Sequence, residues 1–347
     1  MSRGRVLVTG GAGFIGRSLV EQLANDGYEV TALDSYHFSN QSQLFNHPAV
    51  DWLEGDTRDK ELVLGLVDAA DHIIHLAAPS SFIMHEEDDL QACTFTLIGF
   101  KTIMEAMRRC GKRKIVWAST SAVYELWNQP PRVPFHEGLT IDPPDSKAGC
   151  KWWCEQEAQR YATRFGFTSI AFRPFSVYGK GEHTKGGYAN VTSLFVWAMM
   201  AGYDPIIWGD GSQTRDFIYV DDAARAFKLA MENDTLTGHI PLNLGFGVDH
   251  SFLNVVRMIG EELGVEPAPQ FVEIPIQIYA HLLLSDNTKL ERTLGFKPEI
   301  DLRSGIRRII EATTALPSET KSQLKLDLQQ YYFKKLRPAV EGAVRDW

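Results

Sequence analysis

The eleven residues Val6–Gly16, reading VLVTGGAGFIG, constrain the fold of this chain more than any other stretch. Arg5 to Thr9 is a short β-branched strand, and Phe14 to Leu23 carries the apolar face of a helix. Between them Gly10, Gly13 and Gly16 recur at three-residue intervals. The first glycine permits a tight turn, the second lets the backbone approach a pyrophosphate, and the third lets helix and strand pack closely. The free N–H groups of the helix then point at the phosphates, with Phe14 and Ile15 in the same cradle. A second strand, Glu29 to Leu33, ends in Asp34, eighteen residues after Gly16. A carboxylate there accepts hydrogen bonds from an adenosine ribose and repels a 2′-phosphate, which selects NAD over NADP.

The 35 Lys and Arg residues against 44 Asp and Glu leave a net charge of −9. That balance argues against nucleic acid or an anionic membrane as partner, and an anionic cofactor needs locally placed positive charge. The longest apolar run, Val191 to Ala201, is too short to cross a bilayer. Cys93, Cys110, Cys150 and Cys154 have no metal-type spacing with the histidines, so no metal is expected. With the first strand starting at Arg5, the expected compartment is a reducing cytoplasm.

Strand and helix signals alternate through the first half. Val50 to Glu54, His72 to Leu76, Lys114 to Ala118 and Ser169 to Arg173 read as strands; Leu90 to Cys110 and Gly149 to Phe165 read as helices. This is an α/β chain with a doubly wound parallel (Rossmann) sheet. Beyond Gly179 the pattern loses its regularity, as expected of a smaller C-terminal substrate lobe. Phe217 to Val220 and Pro241 to Leu244 are expected to return to the main sheet. The division is then 1–178 and 216–247 for the dinucleotide domain, and 179–215 and 248–315 for the lobe. Residues 316–347 form a helical extension packed on the body or on a partner subunit.

Several motifs in this order resemble the extended short-chain dehydrogenase/reductase superfamily, specifically its NAD-dependent sugar-nucleotide epimerases and dehydratases. They are Thr9–Gly16, Gly55-Asp56, His75-Leu-Ala-Ala78, Ser119-Thr-Ser-Ala-Val-Tyr124, Lys151 with Glu155, Arg173-Pro-Phe-Ser-Val-Tyr-Gly179, and Gly209–Phe217. The resemblance implies a transient oxidation of a sugar carbon, with epimerisation, elimination or decarboxylation at the ketone stage. It implies that Asp56 and Thr57 flank the adenine and that Leu76, Ala77 and Ala78 pass close to the cofactor. Thr120 is the implied hydroxyl on the reacting oxygen, with Ser121 as substitute and substrate contact. Lys151 is the implied ligand of the nicotinamide ribose. Tyr178 is implied to pack beside the nicotinamide, and His75 to be structural. Ser176, Asn190, Trp208 and Arg215 are the implied contacts to a nucleotide sugar, and a homodimer through the two long helices is implied as well.

One part of the pattern is missing. The family's tyrosine base precedes the lysine by four residues, and here Lys147 occupies that position. Thr96, Glu125, Ser176 and Ile276 also depart from the usual residues, and all lie toward the substrate. Three readings of Lys147 stay open. In one, crowding by a second cation makes its amine a base. In another, the base is Glu125, Tyr124, His136 or Cys150. In the third, Lys147 is a solvated lysine on a protein that binds NAD without turnover. The expected reaction is 4-epimerisation of a nucleotide sugar, with dehydration or decarboxylation next. Ser121 and Ala122 stand where a dehydratase carries Asp and Glu.

Overall fold

The computed structural model describes residues 2–41, 44–81, 84–85, 88–127, 134–139, 141–274 and 279–333. The side chains of residues 125–127 and 331–333 also lie outside the described set. Seven strands form one parallel sheet: β1 (Arg5–Thr9), β2 (Glu29–Asp34), β3 (Val50–Glu54), β4 (His72–His75), β5 (Lys114–Ala118), β6 (Thr168–Pro174) and β10 (Gly238–Leu244). Their order is β10-β6-β5-β4-β1-β2-β3, so the winding reverses between β1 and β4.

Strand alternation sends successive side chains to opposite faces, and helices cover both. On one face Val6, Val8, Val116 and Phe172 meet α1 (Phe14–Asn25) and, later in the chain, the helix Val220–Glu232. On the other, Leu7, Ile115 and Trp117 meet α2 (Lys60–Ala69), α3 (Asp89–Arg109) and α4 (Ser146–Phe165). Pro241 has no N–H to give a ladder, and it sits in β10, the edge strand where that is tolerated.

Phe217 to Val220 does not join the main sheet. The strand β9 (Thr214–Tyr219) pairs parallel with β7 (Ser176–Tyr178) and antiparallel with β11 (Asp249–Ser251) in a separate three-stranded sheet. The β6 edge is already taken by β10, and a short apolar run reads the same whichever sheet it joins. A third pair, β8 (Ile206–Trp208) with β12 (Gln270–Val272), completes the lobe. Its core is α5 (Val191–Met200), α7 (Phe252–Leu263) and α9 (Leu302–Ala315); α6 is the helix Val220–Glu232 and α8 is Thr288–Leu294. The extension begins as α10 (Ser318–Asp327), with Leu324 and Leu328 buried in the lobe core. Residues 334–347 lie outside the described part. Among the described residues no helix is long and apolar enough to cross a membrane.

At the switch point β1 and β4 are joined by side chains as well as backbone. Thr9 Oγ1 and His75 Nδ1 are 2.7 Å apart and fully enclosed. Burial, with a smaller contribution from the Lys151 charge, lowers the His75 pKa to about 3. Between that value and the ordinary 6.5 the unfolded chain binds the extra proton, so stability is full above pH 6.5 and is lost as the pH falls. The slope from this one group approaches about 1.4 kcal/mol per pH unit. Urea midpoints measured from pH 7 to pH 4 should fall, and His75→Asn should flatten the profile. An unchanged slope in that variant would show that His75 is not the group responsible.

Candidate active site

A groove crosses the carboxyl ends of the strands at the switch point. Its first section holds Gly10, Gly13, Phe14, Asp34, Asp56 and Thr57, with Leu76, Ala77 and Ala78 on the β4 side. Gly10 has φ +70°, and a Cβ there would stand 2.6 Å from the Ala77 nitrogen. A Cβ on Gly16 would fall 2.2 Å from the Gly10 carbonyl oxygen. The protein's own packing therefore demands both glycines, while Gly13, the residue before α1, is tightest against Gly10 O at 3.1 Å. Asp34 accepts from Ala12 N at 3.0 Å, Tyr36 N at 3.0 Å and Ser39 Oγ at 2.8 Å, which leaves about one acceptor site, on Oδ2, for a ribose. Asp56 caps its own turn through Arg58 N at 2.8 Å and pairs with the Arg58 guanidinium at 2.6 Å. Glycines where a side chain would collide, small alanines and a ribose-facing acid fit a dinucleotide.

The middle section brings together Ile15, Gly16, Thr120, Ser121, Lys147 and Lys151. Thr120 Oγ1 accepts from Ala122 N at 3.1 Å, so it also holds the turn after β5. Lys151 is buried, and Nζ donates to Ala118 O at 2.7 Å, which leaves two protons for other acceptors. Burial lowers the Lys151 pKa, the Cys154 and Cys150 thiols oppose this, and the Lys147 charge adds to the lowering. Lys147 stands in the first turn of α4, half-buried and on the groove wall.

The other candidate bases fare differently. The Tyr124 hydroxyl is enclosed between Arg173 and Asn243, and burial pushes its pKa up to about 12 despite the Arg173 charge. Burial also raises the Cys150 thiol, whose neighbour is Cys93. His136 is exposed, and its Nδ1 accepts from Gly138 N at 3.2 Å. The Glu125 side chain and Ile276 lie outside the described residues.

The outer section unites Ser176, Asn190, Trp208 and Arg215. Asn190 caps α5 through Thr192 N at 3.0 Å, and the Arg215 guanidinium lies 5.4 Å from the ring centres of both Phe252 and Tyr279. Trp208 Nε1 is buried with no acceptor among the described residues. Tyr178 is not beside the nicotinamide section. Val177 lines the groove, whereas Tyr178 is buried in the lobe core, where its hydroxyl donates to Asp301 O at 3.3 Å.

Sequence reasoning missed Lys185, which lines both the first and middle sections and pairs with Glu182 at 3.0 Å. It places a cation in the groove of a negatively charged chain. It missed Phe38, Tyr188 and Tyr279 too. Phe38 and Tyr279 sit in irregular loops and Tyr188 in a short kinked 3-10 segment, where no spacing marks them.

A doubly wound sheet with a glycine turn at its switch point, and a hydroxyl and lysine beside it, defines an enzyme of the short-chain dehydrogenase/reductase type. The chain belongs to the NAD dependent epimerase/dehydratase family, whose model matches residues 6–245. The UDP-glucose 4-epimerase of Mycolicibacterium smegmatis is 31% identical over 311 residues, covering 88% of this chain and 97% of that protein. The UDP-N-acetyl-alpha-D-glucosaminuronate decarboxylase of Bacillus cytotoxicus is 31% identical over 324 residues, with 88% and 97% covered. Among solved structures, the Thermus thermophilus UDP-glucose 4-epimerase complex with NAD superposes with a TM-score of 0.81 at 28% identity, covering 90% of this chain and 100% of that one. The Thermotoga maritima UDP-glucose 4-epimerase with UDP-glucose gives 0.82 at 26% identity, covering 89% and 98%. NAD is the cofactor.

Beneath the groove Glu155 and Arg173 form a bidentate pair at 2.9 and 2.6 Å with almost no exposure, and Ser119 donates to the same carboxylate. Replacing Glu155 by Ala strands a buried guanidinium and should cost about 3–5 kcal/mol. Replacing both residues by Met should be less damaging than the single change. Chemical denaturation reads both, and a single variant within about 1 kcal/mol of the parent would contradict the pairing.

Proposed function

We propose that the protein is a nucleotide-sugar epimerase acting at C4 by transient oxidation, with Lys147 in the part played by tyrosine elsewhere in the family. The observation that carries this reading is the shared wall of Thr120, Ser121, Lys147 and Lys151 in one groove, continuous with the Trp208–Arg215 section. NAD held by the Gly10–Gly16 turn, Asp34 and Lys151 would supply reversible hydride transfer at the sugar carbon. Thr120, with Ser121, hydrogen-bonds the reacting oxygen, and the Lys147 amine receives its proton. Lys151 holds the nicotinamide ribose and keeps positive charge beside the developing oxyanion. Asn190 and Arg215 bind the ribose and diphosphate, for which a guanidinium has the matching bidentate geometry. Trp208 stacks on the base. Decarboxylation of a uronic acid is the second reading, favoured by the decarboxylase relative of similar identity.

The subunit is proposed to pair through α3 and α4, whose outer faces leave Leu90, Ile98, Trp153 and Phe165 exposed. Its proposed place of action is the cytoplasm, in keeping with four cysteines that are all thiols.

The NAD-loaded protein is offered UDP-glucose, UDP-N-acetylglucosamine and UDP-glucuronate, and products are read by NMR and mass. A 4-epimer supports the proposal, whereas loss of carbon dioxide installs the second reading. Binding without any product would leave an NAD-binding protein in place of an enzyme. Lys147→Ala is expected to lower kcat by about 10²–10⁴-fold with NAD still bound. Unchanged turnover would remove Lys147 from the mechanism.

A further inference from the structure

Three potential metal donors that the mechanism above does not use meet at the mouth of the α3–α4 seam, with a fourth, Cys150, beside one of them. His85, Asp89 and Cys93 follow one another at four-residue steps, and their Nδ1, Oδ1 and Sγ atoms all lie within 4.8 Å of one another. His85 Nδ1 is 3.2 Å from Asp89 Oδ1, and Cys93 Sγ is 3.6 Å from the same oxygen. Cys150, buried on α4, is a neighbour of the Cys93 thiol but stands outside the mutual 4.8 Å group of the other three. The cluster is absent from any sequence motif because the fourth donor comes from another helix.

The separations of His85, Asp89 and Cys93 suit a tetrahedral ion, and a side-chain rotation of Cys150 would bring its sulfur to the fourth position. With bonds of about 2.0–2.1 Å to nitrogen and oxygen and about 2.3 Å to sulfur, tetrahedral angles put an N and an O about 3.4 Å apart and an S and an O about 3.6 Å apart. One nitrogen, one carboxylate oxygen and two sulfurs form a donor set typical of zinc rather than of magnesium or calcium, which take oxygen. We propose that His85, Asp89, Cys93 and Cys150 form a tetrahedral zinc site that clasps the first turns of α3 and α4 together. This revises the expectation of no metal, which rested on linear spacing alone.

Binding is an exchange with balanced protons. The two thiols lose their protons to solvent as their sulfurs bond to the dication, and neutral His85 coordinates through Nδ1. The charged groups facing the cluster are Asp145 and Lys147 from α4 and its cap, both acting on His85. Cys154 lies next to Cys150 on the same helix, and the Ser146 hydroxyl bonds Asp89. Affinity must therefore fall with acidity, since protons compete for both sulfurs. The clasp also bears on the groove: Cys150 lies between Lys147 and Lys151 on α4, so an ion there would steady the turn that carries both.

The full-length protein with its NAD is reduced, stripped with chelator and titrated with Co²⁺, then with Zn²⁺. Expected are thiolate-to-cobalt charge-transfer bands with tetrahedral d–d intensity, saturating at one ion per chain and displaced by Zn²⁺. Cys93→Ser and Cys150→Ser should each weaken binding by at least about ten-fold, whereas Cys110→Ser, distant from the cluster, should not. Zinc should also slow alkylation of Cys93 in the unmodified protein, a readout that needs no variant to fold. Absence of a charge-transfer band, equal binding in Cys93→Ser, or undiminished alkylation would each overturn the site. So would loss of both thiols to a Cys93–Cys150 disulfide that zinc does not prevent.

Discussion

The buried contact between Glu155 and Arg173 is where the elements of the active site are tied to one another. Two charges with almost no exposure are tolerable only because each is met by the other and by further donors. Arg173 on β6 reaches α4 through Glu155 and reaches the turn after β5 through the Tyr124 hydroxyl. That hydroxyl donates to Asn243 on β10 at 3.1 Å, and Asn243 donates in turn to Phe135 O at 2.6 Å. Glu155 also accepts from Ser119, the residue before Thr120. The groove residues Thr120, Ser121 and Lys151 thus ride on a polar network whose members are mutually satisfied. Such networks specify one arrangement because any slip leaves a buried charge unpaired.

Around this centre the lobe is assembled from pieces that the main sheet releases. After β6 the chain leaves the sheet at Phe175, and β7 starts a second small sheet with β9 and β11. The buried Asp216 on β9 gathers Phe246 N at 2.6 Å, Gly247 N at 3.0 Å and Ser285 N at 3.0 Å. One carboxylate thereby anchors two loops, and Arg215, its neighbour in sequence, is carried to the outer section of the groove. The lobe is positioned by polar anchors of this kind as well as by its apolar core of α5, α7 and α9.

The parts of the fold legible in the sequence were those with a local cause. Strands and helices of the first half have clear periodicity, and the glycine run states its own geometry because Gly10 and Gly16 have no room for a Cβ. Thr120, Lys147 and Lys151 were recognisable as a group because they lie at strand and helix ends with defined spacing. Lys185 was not, since a cation in a short kinked 3-10 segment carries no periodic mark and becomes meaningful only where that segment folds over the groove. The same limit hid the partner sheet of β9, and it sent the expectation for Tyr178 to the wrong side of β7.

The sequence by itself determined the dinucleotide cradle, the doubly wound half and the anomaly at Lys147, because each is set by neighbours a few residues apart. The tertiary structure decided which side chains face one another across long separations. It put Lys147 on the same wall as Thr120, enclosed Tyr124 away from that wall, and set Cys150 against Cys93. Such meetings depend on how helices and strands pack in three dimensions, and spacing along the chain carries no record of that.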